Sequence, residues 1–261
     1  MNLTNHPFHL VTLSPWPILL SFNLMFLFIG FIKWFNYYNF YLMMYSFLLL
    51  FMILLQWWRD VTRESTFQGC HTMSVINNMR MGMILFIISE IFFFISLFWT
   101  YFHSSLAPSI EIGMLWPPKG IKMFNPYDIP LLNSIILISS GMTISWSHYS
   151  MISNKMKNSF LSLNITILLG LIFSFFQYIE YNEAPFTISD SSFGSIFFLT
   201  TGFHGLHVII GTMFLIICSI RMISNHFSFK HHFGFEAAIW YWHFVDIVWL
   251  FVYSWIYWWS F

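Results

Sequence analysis

Residues 81–100 of this chain read MGMILFIISEIFFFISLFWT, and Glu90 is the one charged residue among them. A helix needs about 20 apolar residues to cross the hydrocarbon of a bilayer. The stretch therefore predicts a membrane-spanning helix with a carboxyl group close to its middle. A strand of a membrane β-barrel would alternate in polarity over about ten residues, and this run does not alternate.

The composition of the whole chain agrees with that prediction. Charged residues make up 8% and hydrophobic residues 58% of its 261 residues, whereas soluble domains carry about 25% charged residues. Ten basic and ten acidic residues leave no net charge, so the chain has no basic surface for a phosphate backbone. We therefore predict an integral membrane protein that binds no nucleic acid.

Six further segments are apolar and long enough to span a bilayer, so the sequence predicts an all-α polytopic protein. Its seven helices would form a single membrane domain over residues 1–261. Five prolines between His103 and Pro130 predict an ordered loop there, because proline removes a backbone hydrogen-bond donor. The predicted helices span approximately residues 16–34, 41–66, 73–105, 129–152, 156–183, 191–223 and 233–256.

Basic residues are distributed unequally between the two predicted faces of the membrane. Seven lie on the face of the second, fourth and sixth connections, and three lie opposite. Because basic residues favour the inner side of a membrane, we expect the N-terminus inside and the C-terminus outside. The seven are Arg59, Arg63, Arg80, Lys155, Lys157, Arg221 and Lys230, and the three are Lys33, Lys119 and Lys122.

Glu90 is the sharpest chemical feature of the sequence. At helical spacing its neighbours are Phe86, Ile87, Phe93 and Phe94, and no Lys or Arg lies within one turn of it. A charged carboxyl in mid-membrane is costly, so we expect the protonated, neutral form. Two roles stay open at this point, a site of proton transfer and a hydrogen bond to a neighbouring helix.

Two pairs at i, i+3 spacing, His204 with His207 and His243 with Asp246, could each face one metal ion. Neither pair completes a ligand set for haem or copper. Packing inside the bundle is therefore the favoured interpretation, and the sequence predicts neither a metal site nor a catalytic residue. The glycines expected to allow a close helix approach in this segment are Gly202, Gly205 and Gly211.

Tryptophan and arginine cluster at the end of the second predicted helix, in Gln56–Glu64. Tryptophan favours the headgroup level of a bilayer, and arginine presents two donors to a phosphate. With His71 and Arg221 on the same predicted face, the cluster indicates binding of an anionic phospholipid. Plain interfacial anchoring with local Arg–Glu pairs is the alternative.

Several long strings of the sequence closely resemble subunit III of mitochondrial cytochrome c oxidase. The resemblance runs from about Asn5 to Trp259, which is nearly the whole chain. The strings include QWWRDVTRESTFQG at 56–69, WPPKG at 116–120, EAPFTISD at 183–190, GFHGLH at 202–207 and HHFGFE at 231–236.

The resemblance implies an architecture in which helices 1–2 and helices 3–7 form two groups, separated by a V-shaped cleft filled with phospholipid. It implies that Glu90 is the carbodiimide-reactive glutamate of the family. One departure concerns Ser224, because some relatives carry a second basic residue at that position. The lipid contacts that the family implies here are Trp57, Trp58, Arg63, Glu64, His71 and Arg221.

The function implied by the resemblance is that of a non-catalytic core subunit of an oxidase that passes electrons from cytochrome c to oxygen and pumps protons. Haem a and copper are expected in partner subunits I and II, small accessory subunits are further partners, and this chain would hold phospholipid alone. The implied location is the mitochondrial inner membrane, with the N-terminus in the matrix and the C-terminus on the intermembrane-space side. The alternatives are a stand-alone proton-coupled transporter using Glu90 and the equivalent subunit of a quinol oxidase.

Overall fold

The computed structural model of the chain describes residues 8–229 and 231–261, so Lys230 lies outside the described residues. The described residues form helices and no strand, and seven of the helices are long and apolar enough to cross a membrane. The predicted fold class is therefore confirmed. The seven are α1 (Trp16–Tyr37), α2 (Tyr41–Thr66), α3 (Met73–Leu106), α4 (Ile129–Ile152), α5 (Met156–Glu183), α6 (Ser192–Ile223) and α7 (Phe233–Val252), which continues as a π-helix over Tyr253–Trp258.

The chain divides into two compact units between Met79 and Arg80. The first unit holds α1, α2 and the first residues of α3, and the second holds the rest of α3 with α4–α7. This division follows the predicted grouping of helices 1–2 and 3–7. The lipid-filled cleft stays a prediction of the resemblance.

A close contact of backbones holds the hairpin of α1 and α2 in the first unit. A Cβ atom added at Gly30 would lie 2.8 Å from the Cα atom of Met43, so only glycine allows this approach. The Asn23 amide nitrogen donates to the Ser46 carbonyl oxygen at 3.0 Å in the buried middle of the hairpin. The turn after α1 passes through Tyr38, whose φ of 53° ends the helix in the left-handed region.

α7 forms the centre of the second unit, since 12 of its 20 residues are buried. Its Trp242 indole donates to the Ser140 hydroxyl of α4 at 2.9 Å. The same ring packs on two glycines, because added Cβ atoms would lie 2.7 Å from it at Gly170 of α5 and 2.9 Å from it at Gly211 of α6. Trp242 therefore contacts three other helices at once.

The prediction that glycines of α6 allow close helix packing is confirmed at Gly211 and wrong at the other two. Among the described residues, no neighbouring heavy atom would lie within 4 Å of a Cβ added at Gly205, and only the Tyr181 hydroxyl, at 3.9 Å, would lie near one at Gly202. The physical reason is that Gly202 and Gly205 line an open pocket between α6 and α5, with Phe173 of α5 on its wall. Spacing in the sequence does not reveal which side of α6 meets its neighbours.

Hydroxyl groups join α4 to α5 along their length. Ser147 and Ser159 each donate from Oγ to the carbonyl oxygen of the other, at 2.8 and 2.9 Å. The hydroxyls of Thr143 and Thr166 lie 2.8 Å apart further along the pair. Interhelical hydrogen bonds of this kind are a usual means of joining helices in a membrane.

The proline-rich segment between α3 and α4 is a loop, as predicted, with one short 3₁₀ turn at Ile110–Ile112. It is tied to the bundle by aromatic contacts. The Trp116 ring lies 5.9 Å from Tyr101 and 5.8 Å from Phe193, measured between centroids. These edge-on contacts fix the loop over one end of the second unit.

Gly30→Ala should destabilise the α1–α2 hairpin by about 1–3 kcal/mol, because the added methyl group overpacks against the Met43 backbone. Gly82→Ala is the matched control, since Gly82 is a helical glycine with nothing within 4 Å of an added Cβ. The control should leave stability unchanged or raise it slightly. Melting temperatures of the purified variants in detergent check this, and equal values for both would contradict the packing argument.

Candidate functional site

The Glu90 carboxyl lies in the middle of α3 and meets a histidine of α6. Its Oε2 atom is 3.0 Å from Nε2 of His207. The other ring nitrogen of His207, Nδ1, is 2.6 Å from the carbonyl oxygen of Phe203, one turn earlier on α6. The two helices are therefore joined by a carboxyl–imidazole pair whose imidazole is anchored to its own backbone.

The hydrogen bonds of His207 fix the position of one proton of the pair and limit that of a second. A carbonyl oxygen only accepts, so Nδ1 of His207 must carry a hydrogen and donate it to Phe203. A second hydrogen must then lie between Nε2 and Glu90 Oε2. Whether it belongs to the acid or to the ring, the pair as a whole carries no net charge, which is the condition for burial in a low-dielectric environment.

Aromatic rings surround the pair on the bundle side. The His207 ring centroid lies 5.1 Å from that of Phe94, 6.1 Å from Phe244 and 6.2 Å from Tyr241. Of the four neighbours predicted for Glu90, only Phe94 is buried, with 1% of its surface exposed, whereas Phe86 is 47% exposed. The aromatic enclosure therefore comes mainly from α7 rather than from α3 itself.

His204 takes a different partner from His207, although the two stand at i, i+3. Its Nε2 atom lies 3.2 Å from the carbonyl oxygen of Val245 on α7, and its ring packs against Phe173 and Trp249. The two imidazoles therefore bond to different helices, that of His204 to α7 and that of His207 to α3. This supports the packing interpretation of the pair over a shared metal.

His243 and Asp246 are loosely paired, with Nδ1 and Oδ2 3.9 Å apart. Asp246 is 9% exposed and packs against Gly141 of α4, where an added Cβ would lie 2.7 Å from Oδ2. The His243 Nε2 atom is 3.4 Å from the Ser145 hydroxyl. This second intramembrane carboxyl helps to set the distance between α4 and α7.

Glu180 is a third carboxyl within a membrane-spanning helix, after Glu90 and Asp246, and the sequence analysis missed it. It is 1% exposed and lies beside Gln177 of α5 and the buried hydroxyl of Tyr257. Glu180 lies just beyond the charge-free run of this helix, which ends at Ile179, although both the predicted helix and α5 itself extend to residue 183. The Gln177–Glu180 spacing of one turn is the signal that could have revealed it.

Three of the predicted lipid-binding residues, Trp57, Arg63 and Glu64, line one pocket of the first unit. Its wall also carries Asp60 and Trp16, joined by an indole-to-carboxylate hydrogen bond of 2.7 Å. The Arg63 side chain is 56% exposed and only 3.8 Å from Asp60 at its nearest nitrogen. The pocket therefore combines acceptors and donors at one end of α2, a pattern suited to a polar headgroup.

The other three predicted lipid contacts are Trp58, His71 and Arg221. Trp58 is 60% exposed on the surface of α2, and His71 lies after α2 with its ring 5.8 Å from that of His9. Arg221 belongs to the second unit, where its guanidinium lies 4.4 Å above the Phe227 ring. Its buried Nε atom has no hydrogen-bond partner among the residues the structure describes.

The fold and this site define a polytopic membrane protein whose helix bundle encloses a carboxyl–imidazole pair. Residues 6–261 match the family described as cytochrome c oxidase subunit III, and the chain belongs to that family. It is 57% identical over 256 residues to cytochrome c oxidase subunit 3 of Aedes aegypti and 55% identical over 257 residues to that of Drosophila melanogaster, covering 98% of both chains in each case. The corresponding protein of Locusta migratoria is 56% identical over 259 residues, which is 99% of this chain and 98% of the relative.

The Glu90–His207 hydrogen bond should contribute measurably to stability. Glu90→Leu leaves the Nε2 lone pair without a donor and should cost about 1–2 kcal/mol, whereas Glu90→Gln keeps a donor and should cost much less. Melting temperatures of the purified variants in detergent check the difference. Glu183→Leu, at the exposed end of α5, is the control for loss of a carboxyl, and identical melting temperatures for the two Glu90 variants would refute the bond.

Proposed function

We propose that this chain is a non-catalytic core subunit of cytochrome c oxidase, the complex that passes electrons from cytochrome c to oxygen and pumps protons. The observation that carries the proposal is the family match along residues 6–261. Animal relatives of the same name and seven apolar helices support a multi-pass protein of the mitochondrial inner membrane. The unequal distribution of basic residues supports a matrix N-terminus and an intermembrane-space C-terminus.

The redox chemistry is assigned to partner subunits I and II, which would hold haem a and copper. The contacts of the α6 histidines support placing the haem and copper in the partner subunits. His204 is bonded to the Val245 carbonyl oxygen, and His207 is bonded on both nitrogens, to Phe203 and to Glu90. Both side chains therefore already make hydrogen bonds that join helices of the bundle.

The chain's own role would be to stabilise subunit I, to hold phospholipid and to sustain turnover. α3 carries a continuous apolar stripe on its outer side. Leu85, Phe92 and Trp99 follow at seven-residue spacing and are 59%, 67% and 70% exposed, with Ile88 and Ile95 between them. A repeat of seven is typical of helix–helix contact, and it supports packing of this face against a helix of subunit I.

Each unit carries residues that would contact phospholipid. In the first, the pocket at the end of α2 offers Arg63 to a phosphate group, with Trp57 at headgroup level. In the second, the Nε donor of the half-buried Arg221 has no partner within the described residues, and a phosphate oxygen would satisfy it. A buried donor without an acceptor is costly, and this supports an anionic ligand beside Arg221.

Glu90→Gln should leave the complex intact and close to its normal initial rate, because glutamine can still donate to His207. The variant chain should migrate with haem a in a native gel and show unchanged oxygen consumption and proton release per electron. It should lose reaction with a hydrophobic carbodiimide, which requires a carboxyl group. Failure of the unmodified chain to co-migrate with haem a would overturn the subunit assignment, and a collapse of proton release alone would make Glu90 a conduction site.

Arg63→Gln and Arg221→Gln should each reduce the phospholipid that remains with the complex after mild delipidation, because each removes a donor to phosphate. Arg59→Gln is the control, since Arg59 is exposed and already paired with Asp60 at 3.1 Å. Phosphorus content and mass spectrometry of the extracted lipid provide the measurement. Lipid retention equal to that of the control in both variants would count against the two sites.

A further inference from the structure

We propose that His148, His232 and Glu236 form a binding site for a divalent zinc ion, which would link the end of α4 to the start of α7. His148 lies in the last two turns of α4, His232 caps α7, and Glu236 lies in the first turn of α7. One ligand atom from each residue lies within 4.8 Å of the other two. The sequence analysis predicted no metal site.

The ring of His232 is held in the orientation that a metal ligand needs. Its Nδ1 atom lies 3.0 Å from the carbonyl oxygen of Ser228 and must donate to it. The lone pair is therefore on Nε2, which lies 3.3 Å from Oε1 of Glu236. Metal-binding histidines are usually oriented by such a bond from the second nitrogen to a backbone carbonyl.

Two imidazole nitrogens of the cluster are buried and unsatisfied within the described part of the chain. His232 is 7% exposed, and its Nε2 atom makes no well-directed hydrogen bond, although Glu236 is near. Nε2 of His148 also has no partner, and the two rings lie 5.5 Å apart. A lone pair next to a carboxylate oxygen and a second imidazole requires a proton or a metal cation between them.

Glu236 is available to a cation as a carboxylate. Arg80 of α3 holds it with two hydrogen bonds, from Nη2 to Oε1 and from Nε to Oε2, both at 3.1 Å. Each carboxylate oxygen can accept more than one bond, so Oε1 retains a lone pair for a metal. The Arg80 charge also opposes the charge of the metal, and we therefore expect reversible binding rather than permanent occupancy.

Two imidazole nitrogens and one carboxylate oxygen are the ligand types that Zn²⁺ accepts with a water in the fourth position. Calcium and magnesium prefer oxygen ligands alone, so the cluster favours zinc over them. The bound ion would fasten α7, the central helix of the second unit, to α4 at the face where the α4–α5 and α6–α7 connections lie.

The test is zinc binding to the assembled complex after removal of loosely bound metal with a chelator. Zinc alone is titrated in equilibrium dialysis, and bound metal is counted by mass spectrometry in the unmodified complex and in His148→Gln and His232→Gln. Each variant should lose one zinc equivalent or bind it at least about tenfold more weakly. His103→Gln, an exposed histidine of α3, is the control and should bind as the unmodified complex does.

Equal zinc stoichiometry and affinity in all four proteins would overturn the proposal. A second measurement covers the case in which a variant fails to assemble. Crystals of the unmodified complex are equilibrated with zinc, and anomalous scattering is recorded at the zinc edge. A peak about 2.0–2.2 Å from the three ligand atoms supports the site, and the lack of a peak there overturns it.

Discussion

The contact of the Trp242 indole with three other helices is the interaction on which the second unit depends. Its ring fits between glycines of α5 and α6, and its N–H group bonds to Ser140 of α4. In a membrane, water does not drive helices together, so close packing and hydrogen bonds must do so. The position of Trp242 therefore sets the depth and rotation of α7, and with them the position of every polar group on that helix.

The carboxyl–imidazole pair follows from this packing. His207 is one turn from Gly211, where α6 approaches the Trp242 ring, and Tyr241 beside that tryptophan lies next to the His207 ring. The pair combines an acid and a base so that neither carries an isolated charge in a low-dielectric environment. Glu236 is paired in a similar way, because Arg80 of α3 supplies the opposite charge. These two acidic side chains are thus matched to partners on other helices rather than to water.

The helices could be predicted from the sequence because hydropathy is a local property, and seven long apolar runs specify seven spans whatever their neighbours. Glu90 was found for the same reason, since a charge inside such a run stands out. Its partner could not be found, because His207 lies 117 residues away and spacing along one helix does not show which helix it faces. Glu180 and the cluster around Glu236 were missed because both lie near ends of apolar runs, where a polar residue seems unremarkable. The glycines of α6 illustrate the same limit, since only Gly211 is on the packed side.

The central position of α7 has a consequence for synthesis of the chain. Ribosomes make the helices in order, so α4, α5 and α6 enter the membrane before the helix that fills the space between them. Until then the groove lined by Ser140, Gly170 and Gly211 has lipid in place of Trp242. The α4–α5 hairpin, with its reciprocal serine bonds and a connection of three residues, can form early on its own. A nascent chain that stops before α7 therefore leaves this groove open, with the Ser140 hydroxyl lacking its indole donor.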